Sequence, residues 1–182
     1  MSADIFRVTN EEFARSPSQV LEGVGGLNVP GRWHLKGSRV TYFASSRALG
    51  LLERLAHLDI VPGEAPSTWV AVKLSVSPRL LGPDCMRQIS ADELYRLDKD
   101  WRKPGNKTCL RIGVAWYGDN KHLLLRVPSA IIPEEYNTVV NCSHPLLPVL
   151  VAASDFERAP ISIDRRIVEI LDPAAIAKRR QR

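Results

Sequence analysis

The sequence predicts an α+β fold, and three observations carry that expectation. Stretches with strand-like alternation are interleaved with helix-like ones, but without the regular strand–helix–strand spacing of a parallel sheet. No G-x-G-x-x-G turn follows the first strand, as the doubly wound dinucleotide-binding architecture would require. The chain has 182 residues, 45% of them hydrophobic and 25% charged, which suits one domain with a core that needs no disulfide or metal.

Taken in order, Ile5–Val8 reads as a short opening strand, and Glu11–Leu21 as a helical stretch broken by Pro17. Gly23, Gly25, Gly26, Pro30, Gly31 and Gly37 crowd the next segment, which reads as an irregular loop able to bring backbone close to a ligand. Val40–Ala44 is β-branched and aromatic, hence a strand. Ser45 or Ser46 then caps a helix whose Leu49, Leu52, Leu55 and Ala56 recur at helical spacing. Thr68–Val76 alternates, with Val70, Val72, Leu74 and Val76 on one face, and reads as a half-buried strand. Ser90 and Glu93 have capping-box spacing for a helix through Leu97, and Asn106–Trp116 is a second helix. Leu123–Val127 and Tyr136–Val140 are strands, Pro145–Pro148 interrupts, and Arg166–Leu171 reads as an edge strand.

The net charge of +5 and pI near 9.3 suggest a polyanionic partner until the charges are located. Four of the 25 basic residues fall in Lys178–Arg182, and without that run 21 basic residues face 20 acidic ones. The run therefore reads as a solubilising tail, with a nucleic-acid-binding or nuclease protein as the alternative class and a non-catalytic partner-binding module as another. Met1–Asn10 holds Asp4 and Arg7 and no apolar leader, and Leu146–Ala153 is too short to cross a bilayer. Cys85, Cys109 and Cys142 are an odd set at wide spacing, so a reducing, cytoplasmic setting and no membrane association are expected. Neither C-x-x-C nor H-E-x-x-H is present around Cys142, His144 or His57, and no metal is expected.

Arg32, behind glycines and beside Trp33, has a planar fork suited to two phosphate oxygens; a solvated surface arginine is the ordinary alternative. Glu53 interrupts a leucine-rich helix, where it either reaches solvent or points into a site, and periodicity does not decide between them. Ser129, in Pro128-Ser129-Ala130 after an apolar strand, is either a turn residue or an oriented hydroxyl. Tyr42 on its strand is either core or a platform for a ligand.

Together, Gly31-Arg32-Trp33, Tyr42 with Ser45 and Ser46, Leu52-Glu53, the run Val127-Pro128-Ser129-Ala130-Ile131-Ile132-Pro133-Glu134-Glu135-Tyr136-Asn137, Asn141 and His144-Pro145 resemble the RES domain, named for its Arg, Glu and Ser. The likeness covers roughly residues 5–150, with residues 1–152 read as the domain and 153–182 as a C-terminal extension ending in the basic tail. It implies a split mixed β-sheet with flanking helices, similar to ADP-ribosyltransferase toxins. It also implies the toxin of a type II toxin–antitoxin pair that consumes NAD by cleaving the nicotinamide–ribose bond. ADP-ribose would pass to a protein, to water or to phosphate. Carried onto this chain, Glu53, Arg32 and Ser129 are the implied catalytic residues, and Arg7, Arg32, Tyr42 and Ser129 the NAD contacts. An Xre-type antitoxin is the implied partner. Direct nucleic-acid binding is not expected. The chain departs from the family pattern at Pro30-Gly31 in place of Gly-Gly, His34 in place of Asn, and Cys142 in place of Pro.

Overall fold

The computed structural model describes residues 3–57, 69–153, 155–164 and 166–167. In chain order its elements are β1 (Ala3–Asn10), α1 (Pro17–Val20), α2 (Val24–Asn28), β2 (Val40–Ala44), α3 (Arg47–Ala56), β3 (Trp69–Val76), β4 (Met86–Gln88), α4 (Ala91–Leu97), α5 (Lys107–Asp119), β5 (Leu124–Pro128), β6 (Tyr136–Asn141), α6 (Leu147–Ala153) and β7 (Asp155–Pro160). One mixed sheet carries the strands in the order β4-β5-β6-β2-β1-β3-β7. Only β4 and β5 run parallel, and their connection is long enough to hold α4 and α5.

The two central strands barely join. β1 pairs with β3 along its whole length, from Ala3↔Val76 to Asn10↔Trp69, and β2 pairs with β6 from Val40↔Asn141 to Ala44↔Asn137. Between β1 and β2 the single register pair is Phe6↔Ala44. The sheet is therefore split at its middle, as the α+β expectation with a divided core required. Beyond that pair, Arg7 Nη1 donates to the Tyr42 carbonyl at 3.0 Å, so a side chain spans the gap where ladder bonds would run.

Both faces of the sheet are covered, and consecutive residues divide between two cores. Leu124 and Val140 enter one with Ile5, Phe43, Val72 and Leu74; Leu125 and Val139 enter the other with Trp33, Val40, Trp101 and Trp116. That period of two is the strand pleat. Helix α3 rides over the split. A Cβ at its Gly50 would stand at ordinary contact distance from Val8 Cγ2, the Phe6 carbonyl and Ala44 Cβ, so the helix lies over the point where β1 and β2 touch.

Several expectations are corrected. The Glu11–Leu21 helix is a 3-10 turn at Glu11–Phe13 followed by α1, because Ser16 caps a new start and Pro17 opens it. The glycine segment holds α2, whose Gly26 is required by packing: a Cβ there would run into the Ser38 carbonyl. Of the strand expected at Thr68–Val76, Thr68 lies outside the described residues, and β3 from Trp69 is not half-buried at first, since Trp69 and Ala71 are as enclosed as Val70 and Val72. Pro148 does not prevent α6, because at the second position of a helix its missing N–H is not needed. Past residue 152, β7 adds an outer strand along β3. The edge strand expected at Arg166–Leu171 lies, apart from Arg166 and Ile167, outside the described residues, as does the basic run 178–182.

Candidate active site

Helix α3 starts where the sequence places it. Ser46 Oγ accepts from the Leu49 N–H at 3.0 Å and donates to Glu135 Oε2 at 2.7 Å, while Ser45 Oγ donates to the same oxygen at 2.8 Å. Glu135 thus ties the head of α3 to the turn between β5 and β6. With its start fixed, the helix turns Leu49, Gly50 and Glu53 inward, whereas Leu52 is 40% exposed and Ala56 is open to solvent. The face expected from Leu49, Leu52 and Ala56 is therefore wrong. A glutamate facing inward while a leucine faces water breaks the burial rule, and such breaks mark sites.

Glu53 is held by neutral donors. Ser129 Oγ donates to Glu53 Oε1 at 2.8 Å and Asn137 Nδ2 donates to the same oxygen at 2.6 Å. Ser129 is fully buried, and its hydroxyl accepts from the N–H groups of Ile131 at 3.0 Å and Ile132 at 3.2 Å. The two readings left open for Ser129 both hold: it is a turn residue whose turn orients its hydroxyl. With both amide donors on its lone pairs, the hydroxyl proton is directed to the carboxylate. Oε2 faces the exposed ring of His57, with Nε2 at 3.7 Å. The carboxylate is thus oriented with no buried cation against it among the described residues.

Tyr42 links the rest. Its hydroxyl lies 2.7 Å from His34 Nδ1, and His34 Nε2 lies 3.1 Å from the Val29 carbonyl. A carbonyl only accepts, so the proton is on Nε2 and the phenol donates to Nδ1. Burial pushes the His34 imidazole below its ordinary range and holds the Tyr42 phenol well above its own, which keeps both neutral. Glycine is needed at Gly31, where a Cβ would meet the His34 ring at 2.5–2.7 Å. The charges of Arg32 and Glu53 act on the Tyr42 hydroxyl in opposite senses, which places that ring near both.

The two arginines differ. Arg32 donates through Nη1 to the carbonyls of Trp101 at 2.6 Å and Lys103 at 2.9 Å, and through Nη2 to that of Arg102 at 2.9 Å. Three of its five N–H groups thus hold a backbone loop, and the guanidinium also interacts with the Cys109 thiol. Arg7 has the Tyr42 carbonyl and no carboxylate among the described residues. Burial, then the nearby charge of Arg54, lowers its pKa to about 10. Arg54 stacks on Trp69 at 5.1 Å and donates to Asn10 Oδ1 at 3.3 Å, while its buried Nε has no partner among the described residues. Two mutually repelling guanidinium groups beside the split form a place for an anion.

Asn137, His34, Glu135 and Arg54 were not singled out as site residues by sequence reasoning. Asn137 shares a strand face with Val139 and Asn141, so the pattern of β6 did not set it apart. Asp98 accepts from Asn106 Nδ2 and the Asp100 N–H, which closes the loop before α5. Burial pushes the Cys109 and Cys142 thiols up, away from the nucleophilic thiolate. Among the described residues no helix is long and apolar enough to cross a membrane, and no three His, Cys, Asp or Glu side chains gather as metal ligands.

Known proteins share this fold and sequence. Toxin Res of Pseudomonas putida is 38% identical over 69% of this chain and 79% of its own. The Prs ADP-ribosylating toxin of Sphingobium is 34% identical over 69% of this chain and 74% of its own. One chain of the M. tuberculosis MbcT–MbcA toxin–antitoxin complex has the same fold, with a TM-score of 0.65 at 16% identity over 94% of this chain and 89% of that one. The RES domain matches residues 4–162, taking in β1 to β7 and every residue of the site, and the chain belongs to the RES domain family.

Proposed function

We propose that the chain is the toxin of a toxin–antitoxin pair and that it cleaves the nicotinamide–ribose bond of NAD in the cytoplasm. The observation that carries this reading is Glu53, turned inward on α3 and held on one oxygen by Ser129 and Asn137. Breaking the bond sends its electron pair to the pyridinium nitrogen, so nicotinamide leaves neutral and positive charge develops on the ribose. A preoriented carboxylate stabilises that charge at no cost of reorganisation. Arg7 takes the pyrophosphate, Arg32 adds its charge, and the Tyr42 ring lies against the nicotinamide end. Ser129 acts through Glu53, by fixing its rotamer.

The acceptor attacks the ribose carbon and loses its proton; a protein side chain is favoured over water or phosphate by the relative named as an ADP-ribosylating toxin. An antitoxin of Xre type covers the cleft, a role suggested by the toxin–antitoxin complex with the same fold. The test is Glu53→Ala in the full chain, with NAD loss, growth arrest and folding measured together. A folded variant that consumes no NAD and permits growth is expected; full turnover by that variant overturns the role. Mass spectrometry of products with and without phosphate, and of lysate proteins after incubation with labelled NAD, assigns the acceptor.

A further inference from the structure

Arg102 lies in the connection between α4 and α5, is exposed, and would pass for a solvated surface charge. Its guanidinium nevertheless forks onto the backbone: Nε donates to the Ala130 carbonyl at 2.8 Å and Nη2 to the Ile131 carbonyl at 3.3 Å. Those carbonyls belong to the turn whose Ile131 and Ile132 N–H groups hold Ser129 Oγ. Arg102 is itself held from behind, because Arg32 grips the carbonyls of Trp101, Arg102 and Lys103, and Asp98 closes the same loop onto Asn106. A continuous series of bonds therefore runs from Arg32 through the 101–103 backbone and the Arg102 fork to the Ser129 turn, and from Ser129 Oγ to Glu53.

We propose that Arg102 is a positioning residue for Glu53, acting through the Ser129 turn and touching neither NAD nor the acceptor. The proposal rests on the reading of Glu53 and Ser129 as site residues. Its chemistry depends on the fork: a planar guanidinium bonds two neighbouring carbonyls at once and fixes their relative orientation, which a lysine ammonium does not. If the turn tilts, the two amides no longer saturate Ser129 Oγ, the hydroxyl proton is no longer aimed at Oε1, and the carboxylate gains rotamers. Displacements of this kind lower the rate of the chemical step more than they weaken ground-state binding.

The test uses the full chain with Arg102→Ala and Arg102→Lys, measuring kcat and KM for NAD, thermal stability, and hydrogen exchange at the Ile131 and Ile132 amides. For Arg102→Ala, kcat falls about 10- to 100-fold with KM within about twofold, and protection of both amides falls in parallel. Arg102→Lys, which keeps the charge and one bond, lies between this variant and the wild type. The double variant Arg102→Ala, Ser129→Ala is no slower than Ser129→Ala alone, because both act on one group. A raised KM with unchanged kcat makes Arg102 a substrate contact and overturns the proposal, as does unchanged amide protection. A wild-type chain that consumes no NAD overturns the functional reading instead, and amide protection then decides the tether by itself.

Discussion

Replacing Arg7 with methionine is expected to make the free protein more stable and less able to bind an anion. The buried guanidinium has one carbonyl partner and a repelling neighbour in Arg54, and its pKa is lowered from 12.5 to about 10. That difference corresponds to about 3 kcal/mol of unfavourable free energy for keeping the charged form in the folded state. The sign follows from linkage: for a base whose folded pKa is depressed, this burden is fully present below the folded pKa and is relieved as pH rises from about 10 towards 12.5. At neutral pH the wild type carries all of it. Methionine removes the charge and keeps an unbranched apolar stem, but leaves the Tyr42 carbonyl without its donor, at a cost of about 1–2 kcal/mol. The balance is a gain of about 1–2 kcal/mol, or about 2–8 °C in midpoint for a chain of this length. Differential scanning fluorimetry with and without pyrophosphate or NAD reads both effects: either ligand raises the wild-type midpoint, and neither raises that of Arg7→Met. A loss of several degrees in the free variant would refute the desolvation argument, and an undiminished pyrophosphate shift would refute the anion site.

Two further outcomes follow from the site. Asn137→Asp places a second carboxylate where an amide now donates to Glu53 at 2.6 Å, so the pair shares a proton and the acid limb of NAD turnover moves to higher pH. Turnover at pH 7 falls at least about tenfold and recovers as pH rises; an unmoved pH profile would refute the contact. His34 is held below its ordinary pKa by burial, so its contribution is fully present above about pH 6.5 and is lost as pH falls through the folded value, when the ring must charge and Nδ1 can no longer accept from Tyr42. Urea midpoints should decline between pH 7.5 and 5.5 more steeply for the wild type than for His34→Asn, and equal slopes would count against that assignment.

Local chemistry made much of the fold legible. Ser46, Ser90 and Asn106 each announce a helix start, and each side chain accepts the N–H three residues on. Strands β2, β5 and β6 follow from short apolar runs with both faces covered. What escaped was decided at long range. The charged, unpatterned Asp155–Pro160 becomes a strand because β3 offers it an open edge. Glu53 could not be oriented from its helix alone, since the head of α3 is tied to Glu135, some 90 residues away in sequence. The resemblance named Glu53, Arg32 and Ser129 from scattered motifs. It did not reveal that Arg32 spends most of its donors on carbonyls of the 101–103 loop, because that loop carries no motif.

On the proposed function, the arrangement of charge follows from the substrate. NAD presents a fixed anion, the pyrophosphate, a short distance from a carbon that becomes cationic only as the glycosidic bond breaks. Arg7 and Arg54 are left without a carboxylate among the described residues, a state that raises their cost in the free protein and their affinity for an anion. Glu53 has two neutral donors on one oxygen and only the exposed His57 ring, at 3.7 Å, near the other, so its direction is fixed without a buried cation. Had Arg7 and Glu53 been paired with each other, the protein would have been more stable and each group less useful, because the pair would have to be broken before either met substrate. Tyr42 joins the two sides: its carbonyl engages Arg7, its hydroxyl engages His34, and that hydroxyl feels the charges of both Arg32 and Glu53. On this argument Tyr42→Ala would remove that link, and both NAD turnover and pyrophosphate binding would fall together.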